Sequence, residues 1–278
     1  MNGIVVGIGD GGARALDWAV REAVARDVVL TAVRAWQVPA FELQYSGLDG
    51  DASLSSGRQS VASELVEEQL RGSAGRVDGG EAVRTRVDAV CGEPAEVLLA
   101  RAAHADLVVV GSRGHRAVSR ALLGSVSGAV VHHAHVPVVV VPEGAQVTAG
   151  GRVVVGVDRS PASLAALRFA VALALRHGSA LVPVLVRDPV WQADLTVLEA
   201  SERHALLHEA QVAGAAGLDV QPEVVTGQAA ASLVGLATDR DVLVVGNRGH
   251  GGFPRLLLGS VSSQCVTHAP CAVAVVRD

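Results

Sequence analysis

Short valine-rich runs alternate with amphipathic stretches along the whole chain. Gly3–Ile8 reads as a buried strand, followed by the glycine-rich turn Gly9-Asp10-Gly11-Gly12. Leu16, Ala19, Val20 and Ala23 then fall on one face of a helix. A second strand, Val28–Ala35, ends near Trp36. Gln37–Gly57, rich in Pro, Gly, Ser and Asp, reads as a long loop. A helix over Gln59–Leu70, a strand over Val83–Val90, a helix over Glu93–His104 with Pro94 in its first turn, and a strand over Leu107–Val110 come next. A helix over Gly124–Ala134 and a strand over Pro137–Val141 complete this half, with Pro137 confined to the strand's start or edge. Pro142–Gly151, PEGAQVTAGG, reads as a linker.

The same order then recurs. Strand Arg152–Val157 leads through Asp158-Arg159-Ser160 into a helix with Pro161 at its first position, running to about His177 and stopped by Gly178. Strand Leu181–Val186, helix Val197–Ala213, strand Val220–Thr226, helix Ala229–Thr238, strand Val242–Val245, helix Ser260–His268 and strand Ala272–Val276 complete it. Each half is β-α-β-α-β-α-β-α-β. That alternation predicts the α/β class, with parallel strands, right-handed crossovers and helices on both faces. Ligands of such sheets sit beyond the carboxyl ends of the strands. If the fourth strand lies beside the first, the Asp-bearing turn after strand one faces the segment after strand four.

The segment after strand four occurs twice. Leu107–Ser127 reads LVVVGSRGHRAVSRALLGSVS, and Val242–Ser262 repeats it as VLVVGNRGHGGFPRLLLGSVS. Both carry G-x2-G-x9-G-S, at Gly111, Gly114, Gly124-Ser125 and at Gly246, Gly249, Gly259-Ser260. Glycines at a strand exit permit a tight turn and close backbone approach. A Gly-Ser opening a helix offers free N–H groups, a hydroxyl and the positive dipole end, all suited to phosphate. One GxxG can serve turn geometry alone; recurrence of the whole spacing with Arg, His and Ser-Val-Ser in register points to an anion or nucleotide cradle.

The chain's 278 residues suffice for two domains of ordinary size. Its net charge of -5 argues against a broad footprint for nucleic acid or anionic membrane. Every basic side chain is arginine, so a P-loop lysine and Schiff-base chemistry are excluded. MNGIVVGIGD lacks signal-peptide features, and Cys91, Cys265 and Cys271 form no disulfide or metal-ligand framework, so a cytoplasmic setting is expected.

Several other residues have plain structural readings. His132 and His133 are adjacent and so occupy different helix faces, and with His135 they are read as complementing a helix end rather than a metal. Of these positions the second half keeps only His268. His115 and His250 lie beside the inner glycines without a triad's partners. Arg116, Arg120 and Arg255 rank below Arg113 and Arg248 as phosphate ligands. Trp36 and Trp191 are read as packing residues.

The two glycine motifs, Gly156-Val157-Asp158-Arg159-Ser160-Pro161 after the sixth strand, and the endings His132–Pro137 and His268–Cys271 together resemble the universal stress proteins, over nearly the whole chain and in tandem form. The resemblance implies two Rossmann-like domains similar to adenine-nucleotide α-hydrolases, at residues 1–142 and 152–278 with 143–151 between. Each would be a five-stranded parallel sheet of order 3-2-1-4-5 with helices on both faces. Family members with the glycine motif bind ATP. By that resemblance Gly111, Arg113, Gly114, Gly124, Ser125, Val126 and Ser127 hold phosphates in the first half. Gly246, Arg248, Gly249, Gly259, Ser260, Val261 and Ser262 do so in the second. Asp158 matches the acid on the adenine and ribose side, Val186 and Ala35 the apolar residue near the base, and Val110 and Val245 close each strand beneath. The first turn departs from the family's G-V-D-x-S-P: it reads about two residues shorter, with Asp10 displaced by one. Phe253-Pro254 interrupts the second loop without changing its spacing.

The expected function is ATP binding, with or without Mg2+, in a regulatory stress-response protein whose halves pair through their fifth strands as a pseudo-dimer. A further homodimer is compatible with this; nucleic acid and membrane are not expected partners. The sequence offers no evident general base or Mg2+ carboxylate pair, so at most slow ATP hydrolysis is expected. The alternatives are an ATP-using hydrolase or transferase of the same superfamily, and a nucleotide-independent scaffold.

Overall fold

The computed structural model describes residues 3–9, 12–38, 51–112, 123–147, 150–187, 195–249 and 257–278. The first half comprises β1 (Gly3–Gly7), α1 (Ala13–Arg26), β2 (Leu30–Trp36), α2 (Asp51–Ala74), a 3-10 turn (Gly80–Ala82), β3 (Thr85–Cys91), α3 (Pro94–Ala102), β4 (Ala105–Gly111), α4 (Ser125–His133) and β5 (Val138–Val141). The second comprises β6 (Val153–Gly156), α5 (Pro161–His177), β7 (Leu181–Arg187), α6 (Leu195–Val212), β8 (Glu223–Thr226), α7 (Ala229–Leu236), β9 (Val242–Gly246), α8 (Ser260–His268) and β10 (Ala272–Val276).

The strands form one ten-stranded sheet of order β3-β2-β1-β4-β5-β10-β9-β6-β7-β8. Each half has the order 3-2-1-4-5 and is parallel throughout. The halves meet where β5 and β10 pair antiparallel, Val138 opposite Val275 and Val140 opposite Val273. The expected pairing of the halves through their fifth strands is present, and it makes the two five-stranded sheets one. The cause lies in composition: β5 is four valines, all buried, and such an edge left bare would be a template for aggregation.

Alternation along the strands divides the core into two layers. Ile4, Val6, Leu107, Val109, Val155 and Val244 face one side, under α1, α2, α5 and α6. Val5, Val108, Val110, Val154, Leu243 and Val245 face the other, under α3, α4, α7 and α8. Both layers run across the seam. Pro183 sits inside β7 at no cost to the ladder: β8 is interrupted there, pairing only at Val220 and again from Glu223 onward.

Local signals explain most boundaries. Ser160 caps α5 by accepting from the Ser163 N–H, Pro161 comes next, and Gly178 ends the helix at φ 61°. One boundary corrects the sequence reading. The expected loop over Gln37–Gly57 gives way to helix from Asp51, and α2 extends to Ala74 rather than Leu70. Asp and Ser look loop-like in composition, yet they also suit a helix's first turn, which is where they fall. Residues 39–50 lie outside the described segments.

A buried ionic node joins the halves beside the sheet. Glu22 of α1, whose side chain is 1% exposed, accepts from Arg26 at 2.5 Å, from Arg176 of α5 at 2.8 Å, and pairs with His177 Nε2 at 2.6 Å. Burial pushes the Glu22 carboxyl up, but the His177 hydrogen bond and the charges of Arg26 and Arg176 outweigh it, and the net displacement is downward. A carboxylate held below its unfolded value stabilises the fold above that unfolded value and stops doing so as pH falls through the folded one. Glu22→Gln, which leaves the cations facing a neutral amide, is expected to cost about 3 kcal/mol at pH 7. Urea denaturation should show the gap to wild type narrowing below about pH 4; a gap independent of pH would show that the charge of Glu22 contributes nothing.

Candidate functional site

Two cavities open at the carboxyl ends of the central strands, one in each half, on the face covered by α3 and α4 or by α7 and α8. The second, of about 560 Å3, lies between the exits of β6 and β9. The first, of about 300 Å3, lies between the exits of β1 and β4. Both fall in or near the range of small-molecule sites.

Each strand exit returns to the sheet by the same bonds. In the second half the Asn247 N–H donates to the Val276 carbonyl at 2.7 Å, and the Asn247 carbonyl accepts from the Gly259 N–H at 2.7 Å. In the first, Ser112 donates to Val141 at 3.0 Å and accepts from Gly124 at 2.9 Å. The Ser262 hydroxyl lies 3.0 Å from the carbonyls of both Asn247 and Gly259, and Ser127 repeats this with Ser112 at 3.1 Å and Gly124 at 3.0 Å. These two buried hydroxyls therefore spend their proton locking the loop; they shape the cradle rather than donate into it. The lock brings the N-termini of α4 and α8 to the cavities, where the first-turn N–H groups have no intrahelical acceptor. Ser125 and Ser260, at the helix starts, are exposed beside those groups.

The second cavity collects Asp158, Val186, Val245, Gly246, Arg248, Gly249, Gly259, Ser260, Val261 and Ser262. The first collects Ala35, Val110, Gly111, Gly124, Ser125, Val126 and Ser127. Asp10, Arg113 and Gly114 lie outside the described residues, as do His115, Arg116, Arg120, Trp191, His250, Phe253, Pro254 and Arg255.

Asp158 is the fixed polar point of the second cavity. Its Oδ1 accepts from the Ser160 N–H at 3.0 Å and the Ser160 hydroxyl at 2.5 Å. Arg159, at φ 66°, turns the chain between them and pairs with Glu209 at 2.7 Å. Oδ2 faces Gly249, where an added Cβ would stand only 2.3 Å away. A Cβ on Gly246 would meet the Ala162 carbonyl carbon at 2.8 Å. These glycines thus admit the opposite turn and the first turn of α5 against the strand exit.

The first cavity has Gly9 where Asp158 stands, and its helix cap, Gly12, makes no side-chain bond. Measured from Gly7 to Gly12 against Gly156 to Ser160, the first turn is one residue longer, not two shorter as the motif comparison predicts. That comparison overlooks the glycine inserted before the helix.

Pattern reading also misses several lining residues. Gly156 and Gly7 each lie under a leucine, Leu233 or Leu98, whose Cδ1 would be 2.9 Å from an added Cβ. These leucines form the cavities' apolar walls from α7 and α3. Superposing the two halves of the sequence would have aligned them, since each lies four residues into its helix.

The remaining candidates lie away from the two cavities. His132 Nδ1 lies 2.8 Å from the Gly128 carbonyl. Trp36 borders a separate groove against α2. Cys265 and Cys271 are buried, and burial pushes both thiols up to about 12, far from a reactive thiolate. Among the described residues no cluster of three or more His, Cys, Asp or Glu could hold a metal ion.

A sequence profile of the universal stress protein family matches residues 1–142 and again 151–277. Universal stress protein Rv1996 of Mycobacterium tuberculosis is 33% identical over 306 aligned residues, spanning 99% of this chain and 95% of that one. A universal stress protein structure from Archaeoglobus fulgidus DSM 4304 covers 99% of this chain and 96% of its own, with a TM-score of 0.67 at 21% identity. A universal stress protein solved in complex with cAMP covers 47% of this chain and 98% of its own at 30% identity, with a TM-score of 0.39. The chain belongs to the universal stress protein family, whose domain it carries twice.

Proposed function

We propose that this protein binds ATP in each half and acts as a nucleotide-responsive regulator of the stress response, with domains at residues 1–142 and 152–278 and residues 143–151 between them. The observation that carries the reading is the doubled architecture: an apolar cavity, and a helix N-terminus locked against the exit of the neighbouring strand. The apolar wall, Val184, Val186, Val245 and Leu233 in the second half, suits a purine face. Asp158 stands where ribose hydroxyls or the exocyclic amine would donate. The N–H groups of α8, with Ser260 and Arg248, suit the phosphates. The first cavity offers the same wall and helix start, with Gly9 in place of the acid, so it binds more weakly. Mg2+ would be carried by the phosphates, with no dedicated carboxylate pair, and hydrolysis would be slow at most. Among the described residues no helix is long and apolar enough to cross a membrane, and the three cysteines are free; both suit a cytoplasmic protein.

Calorimetry on nucleotide-stripped protein tests this, with ATP, AMP and cAMP titrated in turn. Wild type should bind two ATP per chain with unequal affinities. Ser260→Asp and Ser125→Asp each place a negative charge that favours the helix start but repels phosphate. Each should remove one binding event and leave the melting temperature unchanged or raised. Heat absent from the ATP titration of wild type would reject the proposal.

The glycines give a sharper check on Asp158. Gly249→Ala must displace that carboxylate, and it is expected to weaken ATP at the second site about tenfold, the ~1.4 kcal/mol of one charge-assisted bond. Gly259→Ala, whose new Cβ would lie no nearer than 3.4 Å to a neighbour, should weaken it much less. Equal losses would mean that Asp158 does not touch the ligand.

A further inference from the structure

One side chain connects the second cavity to the helix that begins at the first. Arg277 comes directly after β10, and its Nη2 donates to the carbonyls of Val131 at 2.9 Å and His132 at 2.7 Å. Both carbonyls belong to the last turn of α4, where a helix leaves C=O groups unpaired and its dipole is negative. A guanidinium there supplies donors and a positive charge together. About 10 Å away, at 1.5 Å per residue, α4 starts at Ser125 on the first cavity. Val276, just before Arg277, accepts from the Asn247 N–H at 2.7 Å, and Arg248, next after Asn247, lines the second cavity. Burial, and next the like charge of Arg248, push the Arg277 guanidinium down, while Asp278 opposes them. In the first half the residue after the fifth strand is Pro142, with neither donor nor charge. The connection therefore has no symmetric counterpart at that position.

Resting on the nucleotide reading above, we infer that Arg277 is a positioning residue that couples the two cavities, so that an anion held beside Arg248 raises the first cavity's affinity for nucleotide. Phosphate at Arg248 offsets the charge that opposes Arg277. The guanidinium then caps α4 more firmly, and a firmer last turn orders the helix whose first turn holds the other phosphate. Because coupling is reciprocal, nucleotide in the first cavity tightens the second by the same factor.

The test is MgATP calorimetry on the full chain. Val186→Trp fills the second cavity with a neutral ring and leaves the first to be titrated alone; Ala35→Trp does the converse. Val261→Trp replaces Val186→Trp should the latter not fold. The two single-site variants fix each intrinsic constant, and the wild-type titration then yields the coupling factor as its one remaining parameter. That factor is expected at roughly two- to fivefold in favour of joint binding. Repeating the set in an Arg277→Ala background should bring it to about one, while Arg277→Lys, which keeps the charge without the fork, retains part of it. A factor unchanged by Arg277→Ala, or a factor of one in wild type with both sites binding, overturns the inference and leaves the nucleotide reading standing. No ATP heat in any variant removes both.

Discussion

The antiparallel pairing of β5 with β10 sets the geometry of everything else. Each half alone would end its sheet in a buried strand, of valines in β5 and of valine and alanine in β10, with unpaired N–H and C=O groups along one side. Joining the two removes both edges at once and lets each apolar layer continue across the seam. Because the pairing is antiparallel, the carboxyl end of one half lies beside the amino end of the other. The two cavities therefore open toward opposite edges of the sheet, and residues just past β10 fall next to the last turn of α4. The contact made by Arg277 is a consequence of that arrangement, as is the meeting of α1 with α5 that buries Glu22.

Burying a carboxylate between two halves is an expensive way to add stability, since replacing such a node by apolar residues is often neutral or better. What the node adds is register. One carboxylate with partners from both helices, Arg26 on one side and Arg176 and His177 on the other, is satisfied only when α1 and α5 meet at one offset. Valine pairing across the seam has little preference between registers two residues apart, because valine repeats along both strands. A charged node beside the seam discriminates where the apolar contact does not.

The fold was legible in the sequence because strands and helices alternate cleanly and because the pattern occurs twice. Valine runs of strand length, Pro161 and Gly178 at helix ends, and the Gly-Ser before α4 and α8 each act locally, and local signals survive folding. The start of α2 was not legible, since Asp and Ser suit a loop and a helix's first turn equally well. The pairing of the halves through their fifth strands was foreseen only through the family resemblance, since it depends on an edge meeting another edge rather than on either strand's pattern. At the site, spacing located the glycines but not their purpose: Gly249 clears Asp158 and Gly246 clears Ala162, contacts between segments far apart in sequence. Gly7 and Gly156 were overlooked because the leucines they admit lie on other elements.

The difference between the cavities comes down to how each helix after the first strand is started. Ser160 caps α5 and, in doing so, turns its own N–H and hydroxyl toward Asp158, so one residue begins the helix and fixes the acid. Gly12 starts α1 with no side chain to do either, and its turn carries one more residue. A carboxylate there would have no hydroxyl on the capping residue to hold it, and fixing it on binding would cost the conformational freedom that Ser160 has already removed from Asp158. The described bonds at the fourth-strand exits, from Ser112, Gly124 and Ser127 in one half and Asn247, Gly259 and Ser262 in the other, match between the halves. Among the described residues the two cavities therefore differ most at the end opposite that exit, where Ser160 holds Asp158 in one half and Gly12 offers no side chain in the other.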